Sequence, residues 1–142
     1  MNPKPAEGKP SEFIIITKAK DFSFDIYEIA TERHFPKKHR KLACDLMDSS
    51  REIVVHIQDA NELDVADAGE FKERRYEQKK AISLCKDALW LIELAGKRNL
   101  ISKATEYRLA QKCVEIKRMT ASWRKKDRER FLQQQRGNAP RQ

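Results

Sequence analysis

The stretch that decides the fold is Gln78–Ala95, QKKAISLCKDALWLIELA. Its apolar residues recur every three or four positions, which is the spacing that places side chains on one face of an α-helix. That face is wide enough for two adjacent seams, formed by Gln78, Ile82, Cys85, Leu89 and Ile92 and by Ala81, Leu84, Ala88, Leu91 and Ala95. A helix that is apolar over so much of its girth usually contacts more than one neighbour. The stretch therefore predicts a core helix of an all-α protein, and it hints at self-association.

Further helices are predicted on both sides of this stretch. The third helix as a whole covers Glu70–Ala95, after a first helix over Thr17–Arg33 and a second over Pro36–Glu62. Ser102, a residue type that caps helix N-termini, starts a fourth helix that runs to about Phe131. Four helices with short connections predict an antiparallel, up-down four-helix bundle.

Apolar seams on the other three helices complete the predicted core. The three cysteines lie on such stripes without a CxxC spacing, so we expect buried small hydrophobes, with neither a zinc site nor a disulfide. Gly96 is expected to end the third helix as its C′ residue. The seam residues are Phe22, Ile26 and Ile29 on the first helix, Leu42, Leu46, Ile53, Ile57 and Ala60 on the second, and Leu109, Cys113, Ile116, Thr120 and Trp123 on the fourth.

The ends of the chain are predicted to lie outside the bundle. Residues 1–14 read as a disordered Pro-rich tail, 15–132 as the bundle domain and 133–142 as a disordered basic tail. No apolar run approaches the ~20 residues needed to cross a bilayer, and the N-terminus lacks the layout of a signal peptide. We therefore expect a cytoplasmic protein that does not contact membranes.

The charge of the chain is unevenly distributed. The net charge is +8, yet residues 1–100 carry 18 basic and 18 acidic side chains, whereas residues 101–142 carry 12 basic and 4 acidic ones. The excess thus lies on the fourth helix and its tail. Clustered cations favour a polyanion partner because phosphate contacts release counterions.

Basic clusters at the starts of the second and third helices and along the fourth are the candidate binding residues for nucleic acid or a protein partner. Few aromatic residues interleave with them, so phosphate contact is expected rather than base stacking. The candidates are Lys37, Lys38, Arg40, Lys41, Arg74, Arg75, Lys79, Arg108, Lys112, Lys117, Arg118, Arg124, Lys125 and Arg128.

The sequence carries little that indicates catalysis. It contains neither a Gly-rich phosphate loop nor a Gly-x-Ser-x-Gly elbow, and its three histidines lack paired-ligand spacing. We predict no catalytic residue, no metal and no cofactor. One alternative is a helical ribonuclease, since Arg51 and His56 fit the R-x4–6-H spacing of HEPN-type enzymes, in which such a pair acts at the scissile phosphate.

Three short stretches, in this order and spacing, form a more specific pattern. Phe35–Arg40 reads FPKKHR, Leu94–Ser102 reads LAGKRNLIS, and Ile116–Trp123 reads IKRMTASW. Together they resemble the accessory variability determinant (Avd) family of diversity-generating retroelements over roughly residues 15–127. The sister family of 23S rRNA intervening-sequence proteins shares the fold, but its S-I-P-x-N-I-A-E-G-like segment is absent where Ile53–Glu62 stands here.

The resemblance to the Avd family implies a role and an assembly. It implies a homopentameric barrel of four-helix protomers that binds the element's reverse transcriptase and its RNA or DNA in mutagenic retrohoming. The chain lacks YxDD-type aspartates, so the polymerase would perform the chemistry. The second alternative function is that of a 23S rRNA intervening-sequence-type protein.

Overall fold

The computed structural model describes residues 10–32 and 35–137 of the chain. They form four α-helices: α1 (Pro10–Glu32), α2 (Arg40–Asn61), α3 (Ala68–Lys97) and α4 (Lys103–Gly137). A 3-10 helix, Lys37–His39, precedes α2. Within these residues there is no strand, so the predicted all-α class with four helices is confirmed.

The four helices are arranged as a ring. α1 packs against α2 and α4, and α3 packs against the same two helices. Within the described residues, the diagonal pairs, α1 with α3 and α2 with α4, make no backbone contact. Short connections between successive helices make neighbours antiparallel, as in an up-down bundle. None of the described helices is long and apolar enough to cross a membrane.

The predicted seams form the core. Every seam residue named for the first, second and fourth helices is buried. The seams of α3 are only partly covered, because Ile82, Leu84 and Leu89 are half-buried and Trp90 is 59% exposed. The wide apolar face of α3 is therefore not filled within one protomer. Cys85 and Cys113 are buried as expected, but Cys44 is exposed, which corrects that part of the prediction.

Two helices extend into the predicted tails. α1 begins at Pro10 rather than Thr17, because Ile15 packs into the core at 2% exposure and carries the helix toward the N-terminus. α4 continues to Gly137 rather than ending near Phe131. Residues 10–14 and 133–137 are thus helical, which corrects both tail boundaries. The remaining tail residues, 1–9 and 138–142, and the predicted helix end at Arg33 lie outside the described residues.

The end of α3 differs from the prediction in its turning residue. Gly96 lies inside the helix, and the chain turns at Asn99, whose φ of 58° is left-handed. A methyl group at Gly96 would overlap the carboxylate of Glu106 on α4, and this flexible side chain would have to move aside. Ser102 caps α4 as predicted, because its Oγ accepts a hydrogen bond from the Thr105 amide at 3.1 Å.

The starts of α2 and α3 also shift by a few residues. The region from Pro36 begins as the 3-10 helix, and α-helical geometry starts only at Arg40. α3 starts at Ala68, two residues before the predicted Glu70, because the Asp67 carboxylate accepts a hydrogen bond from the Glu70 amide at 2.9 Å.

A buried arginine joins all four helices at one end of the bundle. Arg74 of α3 is 4% exposed, and its Nε and Nη2 donate hydrogen bonds to Asp127 of α4 at 2.6 and 3.1 Å. Its Nη2 also reaches Glu12 of α1 at 3.0 Å. Its Nη1 donates to the carbonyl oxygen of Leu63, just after α2, at 2.9 Å.

Neighbouring side chains complete this network. Gln78 donates to Asp127 at 2.7 Å, and the Trp123 indole donates to Glu12 at 3.1 Å beneath the Arg74 guanidinium. Burial lowers the pKa of Arg74, but the Asp127 hydrogen bond and charge outweigh it and raise the pKa above its ordinary value. The buried charges therefore compensate each other.

We predict that Asp127→Ala lowers the free energy of unfolding by about 3–5 kcal/mol, because it leaves the Arg74 charge buried without its main partner. Chemical denaturation followed by circular dichroism measures the loss. Glu129→Ala, which removes an exposed carboxylate from the same helix, should stay within about 0.5 kcal/mol of wild type. A loss as small as the control's would contradict the structural role of the network.

Candidate nucleic-acid interface

The predicted binding residues fall into separate groups in the structure. Lys38 and Lys41 at the start of α2 line a common cavity with Arg98 near the end of α3. Arg75 lies near the start of α3, 23 positions before Arg98, which corresponds to about 35 Å along a helix. The cluster at the start of α2 and the one around Arg75 are therefore at opposite ends of the bundle.

The groove between α3 and α4 holds a pair of mutually bound arginines. Arg75 Nη1 donates to the backbone carbonyl of Arg124 at 3.0 Å, and Arg124 Nε donates to the carbonyl of Arg75 at 3.3 Å. The Arg75 guanidinium also lies over the ring of Phe71, 5.6 Å from its centroid. These neutral partners fix the positions of the guanidinium groups without cancelling their charge.

The electrostatic surroundings of Arg75 are positive. Partial burial lowers its pKa, and the charges of Arg124 and Arg128 lower it further, against a smaller opposing effect of the Asp127 charge. The guanidinium remains charged at neutral pH because an arginine side chain loses its proton only in strongly alkaline solution. These like charges repel one another, so an anion bound between them would lower their electrostatic energy.

We use the name cationic face for seven basic residues on α3 and α4. Lys79 follows Arg75 by one turn of α3, and at 100° per residue Lys117, Arg124 and Arg128 share the α3-facing side of α4. Within the described part of the chain, none of the seven forms an ion pair with a carboxylate. The cationic face consists of Arg75, Lys79, Lys117, Arg118, Arg124, Lys125 and Arg128.

Two cations on the opposite side of α4 are paired with aspartates of α1. Arg108 binds Asp25 of α1 through two hydrogen bonds of 3.0 and 3.2 Å. Lys112 lies 2.8 Å from Asp21 and 3.0 Å from Asp25. These two residues were predicted to face a polyanion; both are paired with aspartates of α1, so a phosphate would have to compete with those carboxylates, and their role stays a prediction.

Two further predicted binding residues are also engaged within the protomer. Arg74 is buried in the four-helix network and is not on the surface, so its assignment to the interface is wrong. Lys41 is exposed but pairs with Asp45 one turn later at 3.0 Å. Lys37, Lys38 and Arg40 are exposed at the start of α2.

Arg51 and His56 do not form a shared phosphate pocket. Arg51 lies 3.2 Å from Glu52, and His56 Nδ1 lies 2.5 Å from Glu77 of α3. His56 Nε2 is also 3.6 Å from Glu52. An RNA phosphate at His56 would meet these carboxylates, and this argues against the ribonuclease alternative.

The sequence contains a signal for the two buried charged residues of the four-helix network, Arg74 and Asp127, which were not predicted to be buried. Asp127 continues the seam of the fourth helix four residues after Trp123, and Arg74 precedes Gln78 by one turn on the seam of the third. A charged residue in register with an apolar seam indicates a buried partner elsewhere in the fold. Asp25, by contrast, carried no such signal.

We predict that Asp25→Asn lowers the free energy of unfolding by about 1 kcal/mol at pH 7, an amount reduced by solvent screening of the partly exposed pair. Burial raises the pKa of Asp25, but hydrogen bonds from Arg108 and Lys112 outweigh it and hold the pKa below its ordinary 3.8. The stabilisation is therefore complete above that value and disappears as the pH falls through the folded-state pKa.

Urea denaturation of wild type and variant between pH 7 and 2.5 tests this. The two stabilities should converge only at the acid end. Glu93→Gln, at an exposed carboxylate of α3, should show no such pH-dependent difference. A constant difference between wild type and Asp25→Asn across the range would contradict an ion-pair origin.

Comparison with known proteins establishes the fold. No protein-family model and no curated protein matches the sequence. One solved structure is similar, a protein of unknown function from the S23 ribosomal protein family of Bacteroides thetaiotaomicron, with a TM-score of 0.68 and 15% sequence identity. The match covers 81% of this chain and 98% of the other. At this identity the likeness shows that the two share a helical-bundle fold, the fold of the 23S intervening-sequence relatives, and it does not support the Avd family in particular.

Proposed function

We propose that this protein is a non-catalytic accessory protein that binds RNA or DNA through the cationic face. The observation that carries the proposal is the grouping of Arg75, Arg124 and Arg128 in the α3–α4 groove, with two of them held by backbone carbonyls and none by a carboxylate. Such a group retains its full charge while its geometry is already fixed.

The dimensions of the cationic face suit a nucleic-acid backbone. From Lys117 to Arg128 is 11 positions, or about 16 Å along α4. Phosphates follow one another about every 3.4 Å along one strand of a duplex, so the face spans several of them. Contacts of this kind depend on salt and carry little sequence preference.

The proposed biological setting is a diversity-generating retroelement, with the element's reverse transcriptase as protein partner. This part rests on the three Avd-like motifs, FPKKHR, LAGKRNLIS and IKRMTASW. In this setting the protein supports mutagenic retrohoming by holding template RNA or cDNA near the polymerase. An adjacent reverse-transcriptase gene with template and variable repeats would support it.

A second candidate is a 23S rRNA intervening-sequence-type protein. The structural neighbour from the S23 ribosomal protein family favours this candidate through its fold. Both candidates use the same cationic face, and the gene neighbourhood separates them.

Assembly into a ring would strengthen such binding. Large apolar side chains are exposed on one protomer, among them Phe24 at 71%, Tyr27 at 62% and Trp90 at 59%. Burying them between copies would favour association. A closed ring would repeat the cationic face and raise its avidity for a long polyanion.

We predict that Lys125→Gln/Arg128→Gln weakens binding of a fluorescein-labelled RNA about tenfold or more at 0.1 M salt. It should also lower the slope of log K against log salt by about two, because two phosphate contacts are lost. Fluorescence anisotropy over a salt series measures both quantities. Wild type should bind unrelated RNA sequences with similar affinity.

The matched control is Lys97→Gln/Arg98→Gln, which removes one lysine and one arginine from exposed positions at the far end of α3. It should leave affinity and slope close to wild type. Equal weakening by both double variants would refute the cationic face as the site. The RNA should be recovered intact. Its cleavage by wild type and not by His56→Ala would instead support the ribonuclease alternative.

For the assembly, we predict a native mass of five times the 16.7 kDa protomer, because the proposed ring is a pentamer. Light scattering coupled to size-exclusion chromatography measures the mass without reference to shape. A monomeric mass at micromolar concentration would exclude the ring while leaving the binding face of each protomer intact.

A further inference from the structure

Three potential metal ligands converge between α2 and α3. His56 and Asp59 are one turn apart on α2, and Glu77 faces them from α3. One nitrogen or oxygen atom of each lies within 4.8 Å of the other two. The ring of His56 and the carboxylate of Glu77 are largely shielded, at 19% and 18% exposure, whereas Asp59 is exposed. His56 Nδ1 lies 2.5 Å from Glu77 Oε2.

A further carboxylate lies near the other ring nitrogen of His56. Its Nε2 lies 3.6 Å from Glu52 Oε2, and Glu52 is itself paired with Arg51 at 3.2 Å. Imidazoles that bind metals usually donate a hydrogen bond from their second ring nitrogen to a carboxylate, which fixes the tautomer and raises the basicity of the ligating nitrogen. A shift of about half an ångström would bring Glu52 within hydrogen-bond distance of Nε2.

We propose that His56, Asp59 and Glu77 bind a divalent first-row transition-metal ion, with Glu52 as the orienting carboxylate. One imidazole nitrogen with two carboxylate oxygens suits Zn²⁺, Co²⁺ or Mn²⁺ better than Mg²⁺ or Ca²⁺, which prefer oxygen ligands alone. On binding, the ion takes the place of the proton held between Nδ1 and Glu77, and that proton passes to solvent.

The proposed site is separate from the cationic face. On α3, Glu77 lies about 200° around the helix from Arg75. Glu77 therefore faces α2, whereas Arg75 faces α4. A bound ion would tie α2 to α3 and would neutralise part of a local excess of carboxylates. The proposal therefore stands or falls independently of nucleic-acid binding.

Isothermal titration of the untagged full-length protein with ZnCl₂ tests the proposal, and CoCl₂ with visible absorbance gives a second readout. All proteins carry Cys44→Ser, because the exposed thiol of Cys44 is a competing ligand. We expect one equivalent of Zn²⁺ per protomer, with affinity lowered at least about tenfold by His56→Ala and by Glu77→Gln, and also lowered by Glu52→Gln.

The matched control is His39→Ala, which removes a histidine at the other end of α2 and should bind Zn²⁺ as tightly as the parent. Glu77→Gln keeps the size of the side chain and one acceptor oxygen, and circular dichroism confirms that each variant is helical. Absence of saturable binding by the parent, or equal binding by His56→Ala and His39→Ala, would overturn the proposal.

Discussion

The rest of the structure depends on a positive charge that must be satisfied away from water. Arg74 is buried at one end of the bundle, where an unpaired guanidinium would be very costly. Its partners come from every other part of the ring: Asp127 of α4, Glu12 of α1 and the carbonyl of Leu63 after α2. All of these partners must reach one planar group, so the network fixes how far each helix is shifted along the bundle axis. Apolar packing alone would leave that shift less defined. It also explains why α1 extends as far as Glu12.

The cations of α4 are divided between structure and surface. Toward α1, Arg108 and Lys112 are held by aspartates and contribute to the helix–helix contact. Toward α3, Arg124 is held by a backbone carbonyl, an acceptor that positions a guanidinium without neutralising it. One helix thus packs against both neighbours with Arg108 and Lys112 paired to carboxylates toward α1, whereas Arg124 and Arg128 toward α3 form no ion pair among the described residues. The proposed binding of nucleic acid follows from this asymmetry more than from the net charge of +8.

The sequence predicted the core better than the ends of the helices or the interface. Seams such as Leu109–Trp123 were identified correctly, because a 3.6-residue period is a local property. The start of α1 was missed because Pro10 and the polar residues after it resemble a tail until the burial of Glu12 is known. Arg74 was placed on the surface because it stands beside Arg75 in the sequence, although only one of these neighbours points into the bundle.

By itself the sequence determined that this protein is an all-α four-helix protein, most of the residues that form its core and where its excess positive charge lies. Only the tertiary structure decided which cations remain free, and it alone brought His56 beside Glu77, 21 positions away. The physical reason is one of range. Helical periodicity is set by residues within a few positions of one another, whereas ion pairing and metal ligation depend on atoms a few ångströms apart on different helices. Those distances are fixed only when the core packs.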